Sequence, residues 1–133
     1  MGQAKPVKLR SAMTTAYTLT SSFADVTGLV LPPVEIEGWY DISSCFTFRA
    51  NASADDCLAG IFIDGNKING TINRAVMVTG SIGTWPWSIN SKGIYLKKEE
   101  VVSIQAKYTT AGGAIQYLAN QAEGFIEAEW REY

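Results

Sequence analysis

At 133 residues, 47% hydrophobic and 18% charged, the chain has the size and composition of one globular domain, which excludes collagen-like and disordered polypeptides. Eleven basic against thirteen acidic side chains give a net charge of −2 and an isoelectric point near 5.1, a field that does not favour polyanions, so no nucleic-acid partner is expected. Histidine is absent, which removes the usual general base, the commonest zinc ligand and the near-neutral proton switch together.

The N-terminal 22 residues differ from the rest. They contain Lys5, Lys8 and Arg10, no acid, and a run of Ser, Thr and Ala, which leaves a net −5 on the remainder. The composition predicts a basic arm over residues 1–16 and a folded domain over 17–133, the arm either lying on an acidic partner or fraying. No apolar run of secretory-signal type follows the three cations, and Pro6 stands where a myristoylation motif starting at Gly2 needs Ser or Thr. The longest apolar run, Gly28 to Leu31, stops at Pro32-Pro33 and is far short of the ~20 residues of a membrane span, so no membrane partner is expected.

After the arm the apolar pattern has the period of two that marks β-strands. Tyr40, Ile42, Ser44, Phe46 and Phe48 share one face, and Asp41, Ser43, Cys45, Thr47 and Arg49 the other. Residues Ala59 to Asp64 and Lys67 to Thr71 are joined through Asp64-Gly65-Asn66, where Gly and Asn tolerate the positive φ of a tight hairpin. Val102, Ile104, Ala106 and Tyr108 alternate with polar residues, as do Ile126, Ala128 and Trp130. The only hint of helical spacing is a weak run from Ile115 to Glu123. Turn residues every 8 to 15 positions complete the pattern of an all-β antiparallel sandwich or barrel.

Few groupings carry chemistry. The segment Asp64 to Gly70 has Ile68 where a calcium loop needs an oxygen ligand and lacks a closing acid, so it reads as a hairpin. Asp55-Asp56 could make a weak cation site or be solvated. Glu99-Glu100 follows Lys97-Lys98 and reads as a charge-balanced turn. Cys45 and Cys57 read as free, partly buried thiols, with a disulfide between them as the alternative, and the sequons at Asn51 and Asn69 as turn chemistry. No nucleophile elbow, phosphate-cradling glycine loop or cysteine cluster is present, so no enzyme activity, metal or cofactor is expected. Trp85-Pro86-Trp87, expected in a loop or short edge strand, offers two large rings on a stiff segment: a subunit seam or a ligand contact. Trp39 and Trp130 fall in strand patterns and read as core or seam residues.

Four segments in order, Phe23-Ala24-Asp25-Val26-Thr27-Gly28-Leu29, Gly38-Trp39-Tyr40-Asp41-Ile42-Ser43, Ile61-Phe62-Ile63-Asp64-Gly65 and Gly93 to Gln105, resemble the small jelly-roll modules of tailed-phage virion proteins, which look like tumour-necrosis-factor and complement globular heads. Pro32-Pro33 departs from that pattern by interrupting a typically continuous strand, and Lys98-Glu99-Glu100 replaces a frequent Gly-Asp turn. The resemblance implies an antiparallel jelly roll assembled as a homotrimer, a structural protein rather than an enzyme, located in the virion after assembly in the host cytoplasm. Within it, a capsid decoration or cement protein is the first expectation, with Lys5, Lys8 and Arg10 fastening the arm to the major capsid protein lattice or another virion protein. A receptor-binding tail or head fibre tip, with Trp85 and Trp87 on a host-surface glycan, is the alternative.

Overall fold

The structure is a computed structural model that describes residues 8–50, 56–67, 73–76, 83–110, 116–118 and 124–131, with side chains described over 8–45, 58–66, 88–108 and 124–131. Within those residues all regular structure is strand: β1 (Lys8–Ala12), β2 (Tyr17–Thr18), β3 (Ala24–Val30), β4 (Gly38–Ala50), β5 (Asp56–Ile63), β6 (Asn66–Lys67), β7 (Asn73–Val76), β8 (Gly83–Leu96), β9 (Val102–Thr110), β10 (Gln116–Leu118) and β11 (Phe125–Arg131). They form two antiparallel sheets packed as a jelly roll, as the sequence predicts.

The first sheet is organised by β4. One of its edges takes β11 along Trp39–Cys45 and β10 along Thr47–Arg49, with β1 outside β11 and β2 outside β10; β8 runs along the whole opposite edge. The second sheet runs β3-β9-β5, with β6 and β7 sharing the far edge of β5. The core lies between them. Tyr40, Ile42 and Ser44 of β4, Ile126 and Ala128 of β11 and Ile89 and Leu96 of β8 face Val26 and Leu29 of β3, Ala59 and Ile61 of β5, and Val102, Ile104 and Ala106 of β9. In β4, β9 and β11 the two-residue alternation read from the sequence is the alternation of burial, whereas Ala59 to Phe62 of β5 are buried without a break. Phase alone does not bury Ser103, which is nearly inaccessible on the other face of β9; its hydroxyl donates to Asp25 Oδ1 at 2.7 Å, which meets the demand that a buried polar group be bonded.

Turns follow their residues. Asp64 (φ 50°) and Gly65 (φ 80°) form the β5–β6 connection, both central residues left-handed as a two-residue hairpin turn requires. Pro32-Pro33 does interrupt pairing: Leu31 N–H donates to Val102 O at 2.8 Å, and the next contact on that side is Val34 N–H to Glu100 O at 2.9 Å. Opposite it, the Lys97–Glu100 turn uses Glu99 at φ 77°, and the Glu100 carboxylate accepts Lys97 N–H at 2.6 Å. A side-chain acceptor thus stabilises a turn that has no glycine. The Ile115–Glu123 run contributes a strand at 116–118 where helical spacing was the hint, because pairing with both β4 and β2 outweighs weak local periodicity.

The expected boundary after residue 16 is corrected. From Lys8 onwards the segment is not an arm beside the sandwich but an edge strand within it, paired with Phe125–Glu129 of β11. Met13, directly after β1, is 1% exposed, and its N–H donates to Gly124 O at 2.7 Å. Ser11 Oγ donates to Gly28 O in β3 at 2.8 Å, so β1 also ties the two sheets together along one side. A short polar segment did not predict this because its strand phase holds only Leu9, Ser11 and then Met13 on the inner side. Lys5 lies outside the described residues.

Candidate interaction surfaces

The outer face of β1, β11 and β4 carries a ladder of alternating charge. Lys8 Nζ lies 3.6 Å from Glu129 Oε2, and Arg10 pairs with Glu127 while its guanidinium sits 4.3 Å above the Phe125 ring. Arg131 bridges Asp41 Oδ2 and Glu129 Oε1, both at 2.9 Å. Two of the three cations proposed for attachment are thus engaged within their own sheet. The cause is register: Lys8 stands opposite Glu129 and Arg10 opposite Glu127, and the acids on alternate positions of β11 complement the bases on β1. These pairs are exposed, so each is worth at most about 1 kcal/mol.

Beyond that ladder the same face turns aromatic. Trp39 on β4 and Tyr95 on β8 are cross-strand partners, 44% and 42% exposed, with ring centroids 5.2 Å apart and planes at 76°. Ile36, in the loop entering β4, is 45% exposed; these three are the exposed large apolar side chains of the described residues. Glu37 accepts the Tyr95 hydroxyl at 2.5 Å, which holds the phenol proton and raises its pKa, burial adding to the effect. Asp41 accepts Gly93 N–H at 3.0 Å where β8 bulges, and Arg131 stands beside Trp39 in register. Of the core-or-seam reading of Trp39 the core half is corrected: it shares a phase with Asp41 and Ser43, not with buried Tyr40 and Ile42. Trp130 is half-buried and packed against the core.

Trp85 and Trp87 lie inside β8, not in a loop or a short strand, opposite Phe48 and Phe46 of β4; their side chains lie outside the described ones. At 14 residues β8 is the longest strand described, and among the described strands it pairs with β4 alone. Its outer edge is covered by no described strand. Pro86 is compatible with that position, since proline in a sheet is confined to edges or bulges.

Other candidates place as follows. Cys45 is half-buried on the outer face of β4, opposite Phe125 and Ser88, while Cys57 belongs to β5 of the other sheet. Asp55 and the sequon residues Asn51 and Asn69 fall outside the described residues. Among the described residues no three Cys, Asp or Glu side chains converge as metal ligands would, and no helix is long and apolar enough to cross a membrane. Two further phenols, buried Tyr40 and half-buried Tyr17, have raised pKa values. Tyr40, whose hydroxyl donates to Ile36 O at 2.6 Å, is shifted first by burial and then by Glu35; Tyr17 is shifted by burial and by Asp25.

No protein-family model matches the chain, and no curated protein matches it in sequence. Its backbone nonetheless superimposes on solved structures. The structure of Eiger TNF from S. frugiperda aligns with a TM-score of 0.66 at 12% identity, covering 97% of this chain and 94% of that one. Murine APRIL aligns with a TM-score of 0.57 at 12% identity, covering 96% and 100%. A further match, at a TM-score of 0.50 and 12% identity, is to 12% of the latent PorU chain of Porphyromonas gingivalis, covering 93% of this chain. At these identities the likeness shows the fold, and the fold is a TNF-like jelly roll.

Proposed function

We propose that this chain is a non-enzymatic virion structural protein, a homotrimeric capsid decoration or cement protein of a tailed bacteriophage. The observation that carries assembly is the outer edge of β8, which no strand among the described residues covers. A long edge strand that presents a row of N–H and C=O groups is a pairing hazard in a free monomer, and β1, at the other edge of the same sheet, is tied to β3. A head-to-tail contact that covers this edge with the next copy makes a closed ring when its rotation is a whole fraction of a turn, and a three-fold ring is the one the phage-module resemblance implies. The same resemblance supports the virion location and the capsid lattice as partner. Lys8 and Arg10 contribute to that lattice from the charge ladder rather than from a loose arm.

The test combines assembly and binding. Sedimentation equilibrium of the purified chain is expected to give a trimer at micromolar concentration, and co-sedimentation is expected to recover it with expanded empty capsids of its own virus. A stable monomer overturns the assembly. A trimer that binds host cells and not capsids replaces decoration with the fibre-tip role. Copy number per virion separates the same two roles: hundreds accompany decoration and a handful a tip.

A further inference from the structure

We propose that the corner formed by Trp39 and Tyr95 is a carbohydrate-binding site for a neutral pyranose, a reading that does not rest on the decoration role. The indole and the phenol meet edge to face at 76° and 5.2 Å, which makes a floor and a wall, each ring a little under half exposed. A pyranose has one apolar face of C–H groups and a rim of hydroxyls. It therefore needs a flat apolar surface with a donor and an acceptor fixed beside it, the pattern of a few placed polar groups on an apolar lining. Both are present: the Glu37 carboxylate is anchored at the phenol hydroxyl, and the Arg131 guanidinium is held between Asp41 and Glu129 next to Trp39. The rings stand on two strands paired in register, so little ordering is lost on binding.

Charge selects the ligand class. Glu37 already accepts from Tyr95, and Asp41 already accepts from Arg131 and from the Gly93 amide. Asp41 is neutralised by Arg131, whereas Glu37, bonded to a neutral phenol, keeps its charge; this favours a neutral ligand over an acidic one and offers a sugar hydroxyl a charged acceptor, and the tetramethylammonium titration decides between the sugar and a cation. Size argues against a second copy of the chain as occupant. Trp39, Tyr95 and Ile36 together offer a few hundred Å² at about 100 Å² each, well below the ~800 Å² per partner of a standard interface.

The experiment uses the full-length protein on an array of neutral and acidic glycans, followed by NMR titration of ¹⁵N-labelled protein with the best array ligand and, separately, with tetramethylammonium chloride. A neutral oligosaccharide is expected to bind saturably, with the largest amide shifts in 37–41 and 93–96. Trp39→Ala and Tyr95→Ala are each expected to weaken it about tenfold or more, with sedimentation and melting temperature little changed because both side chains are exposed. Glu37→Gln, which keeps both rings, is expected to weaken binding less than either. The proposal is overturned if the array shows no neutral glycan, if only acidic glycans bind, if tetramethylammonium gives the stronger shifts at these residues, or if Trp39→Ala changes the oligomeric state.

Discussion

Replacing Gly28 by alanine tests whether β1 belongs to the sandwich. Gly28 has φ +91°, and a Cβ built on it stands 2.8 Å from Met13 Cα, 3.2 Å from Ala12 O and 3.3 Å from Met13 Cγ. Two costs combine. The left-handed backbone costs an alanine about 1 kcal/mol. The carbon–carbon approach falls short of the ~3.5–4.0 Å optimum by most of an ångström, and the atom in the way is backbone. Met13 cannot retreat freely, because its side chain is buried and its N–H is bonded to Gly124 O. Overpacking of this kind costs about 1–3 kcal/mol, so Gly28→Ala is expected to lose about 2–4 kcal/mol in all.

Gly65→Ala supplies the internal reference. Gly65 has a similar φ of +80° and nothing within 4 Å of its built Cβ, so only the backbone cost of about 1 kcal/mol applies. For a chain of this length each kcal/mol moves the melting temperature by about 3–4 °C, which separates the two variants clearly. Urea unfolding followed by circular dichroism measures the difference directly. Equal destabilisation of the two variants, within about 0.5 kcal/mol, would refute the packing of the β1–Met13 segment on β3.

Three further outcomes are expected. Deletion of residues 1–13 removes β1 and the buried Met13 side chain and is expected to cost about 3 kcal/mol or more, read as a melting temperature lower by about 10 °C; an unchanged melting temperature would restore the independent arm. Raising pH above about 10 is expected to destabilise the protein, because burial raises the Tyr40 and Tyr17 pKa values, so the native state keeps protons that the unfolded chain releases and their contribution is lost as pH passes the native values. Tyr40→Phe is expected to be less stable at pH 8, by about 1 kcal/mol for the lost bond to Ile36 O, yet to lose less between pH 8 and 11 than the parent; parallel melting curves for the two proteins would contradict this. Trp85→Ala with Trp87→Ala is expected to yield monomer or insoluble protein if β8 is the seam, whereas a stable trimer lacking glycan or cell binding would move the function to those two rings.

Much of the fold was legible because burial obeys strand phase. Tyr40, Ile42, Ile104, Ala106, Ile126 and Ala128 are all buried in the phase their spacing predicts, and the Asp64-Gly65 turn is where its residue types demand positive φ. Two features escaped for opposite reasons. β1 escaped because an edge strand with one half-buried phase and three outward charged or small residues has almost no apolar signature of its own; its complement is Glu127 and Glu129 at the other end of the chain in β11, a long-range match that no local window contains. The Trp39–Tyr95 corner was legible in principle. Trp39 is out of phase with Tyr40 and Ile42, and Tyr95 out of phase with Ile94 and Leu96, but composition invites every tryptophan in a strand to be read as core.

The two surfaces proposed to act are separated by the geometry of one strand. Trp85 and Tyr95 are ten residues apart on β8, roughly 33 Å at the rise of an extended chain. The segment near Trp85 is paired with the far half of β4, and the segment near Tyr95 with its start. Between them the β8 bulge at Gly93, tied to Asp41, breaks the register. A contact that covers the Trp85 end can therefore leave the Trp39–Tyr95 corner open, and substitutions at one end are expected to act independently of those at the other, adding within about 0.5 kcal/mol. A double-mutant cycle between Trp39→Ala and Trp87→Ala, read by sedimentation for assembly and by glycan titration for binding, makes that separation measurable. Coupling well beyond that margin would mean that assembly and ligand binding share one surface, and the seam would then have to extend along the whole of β8.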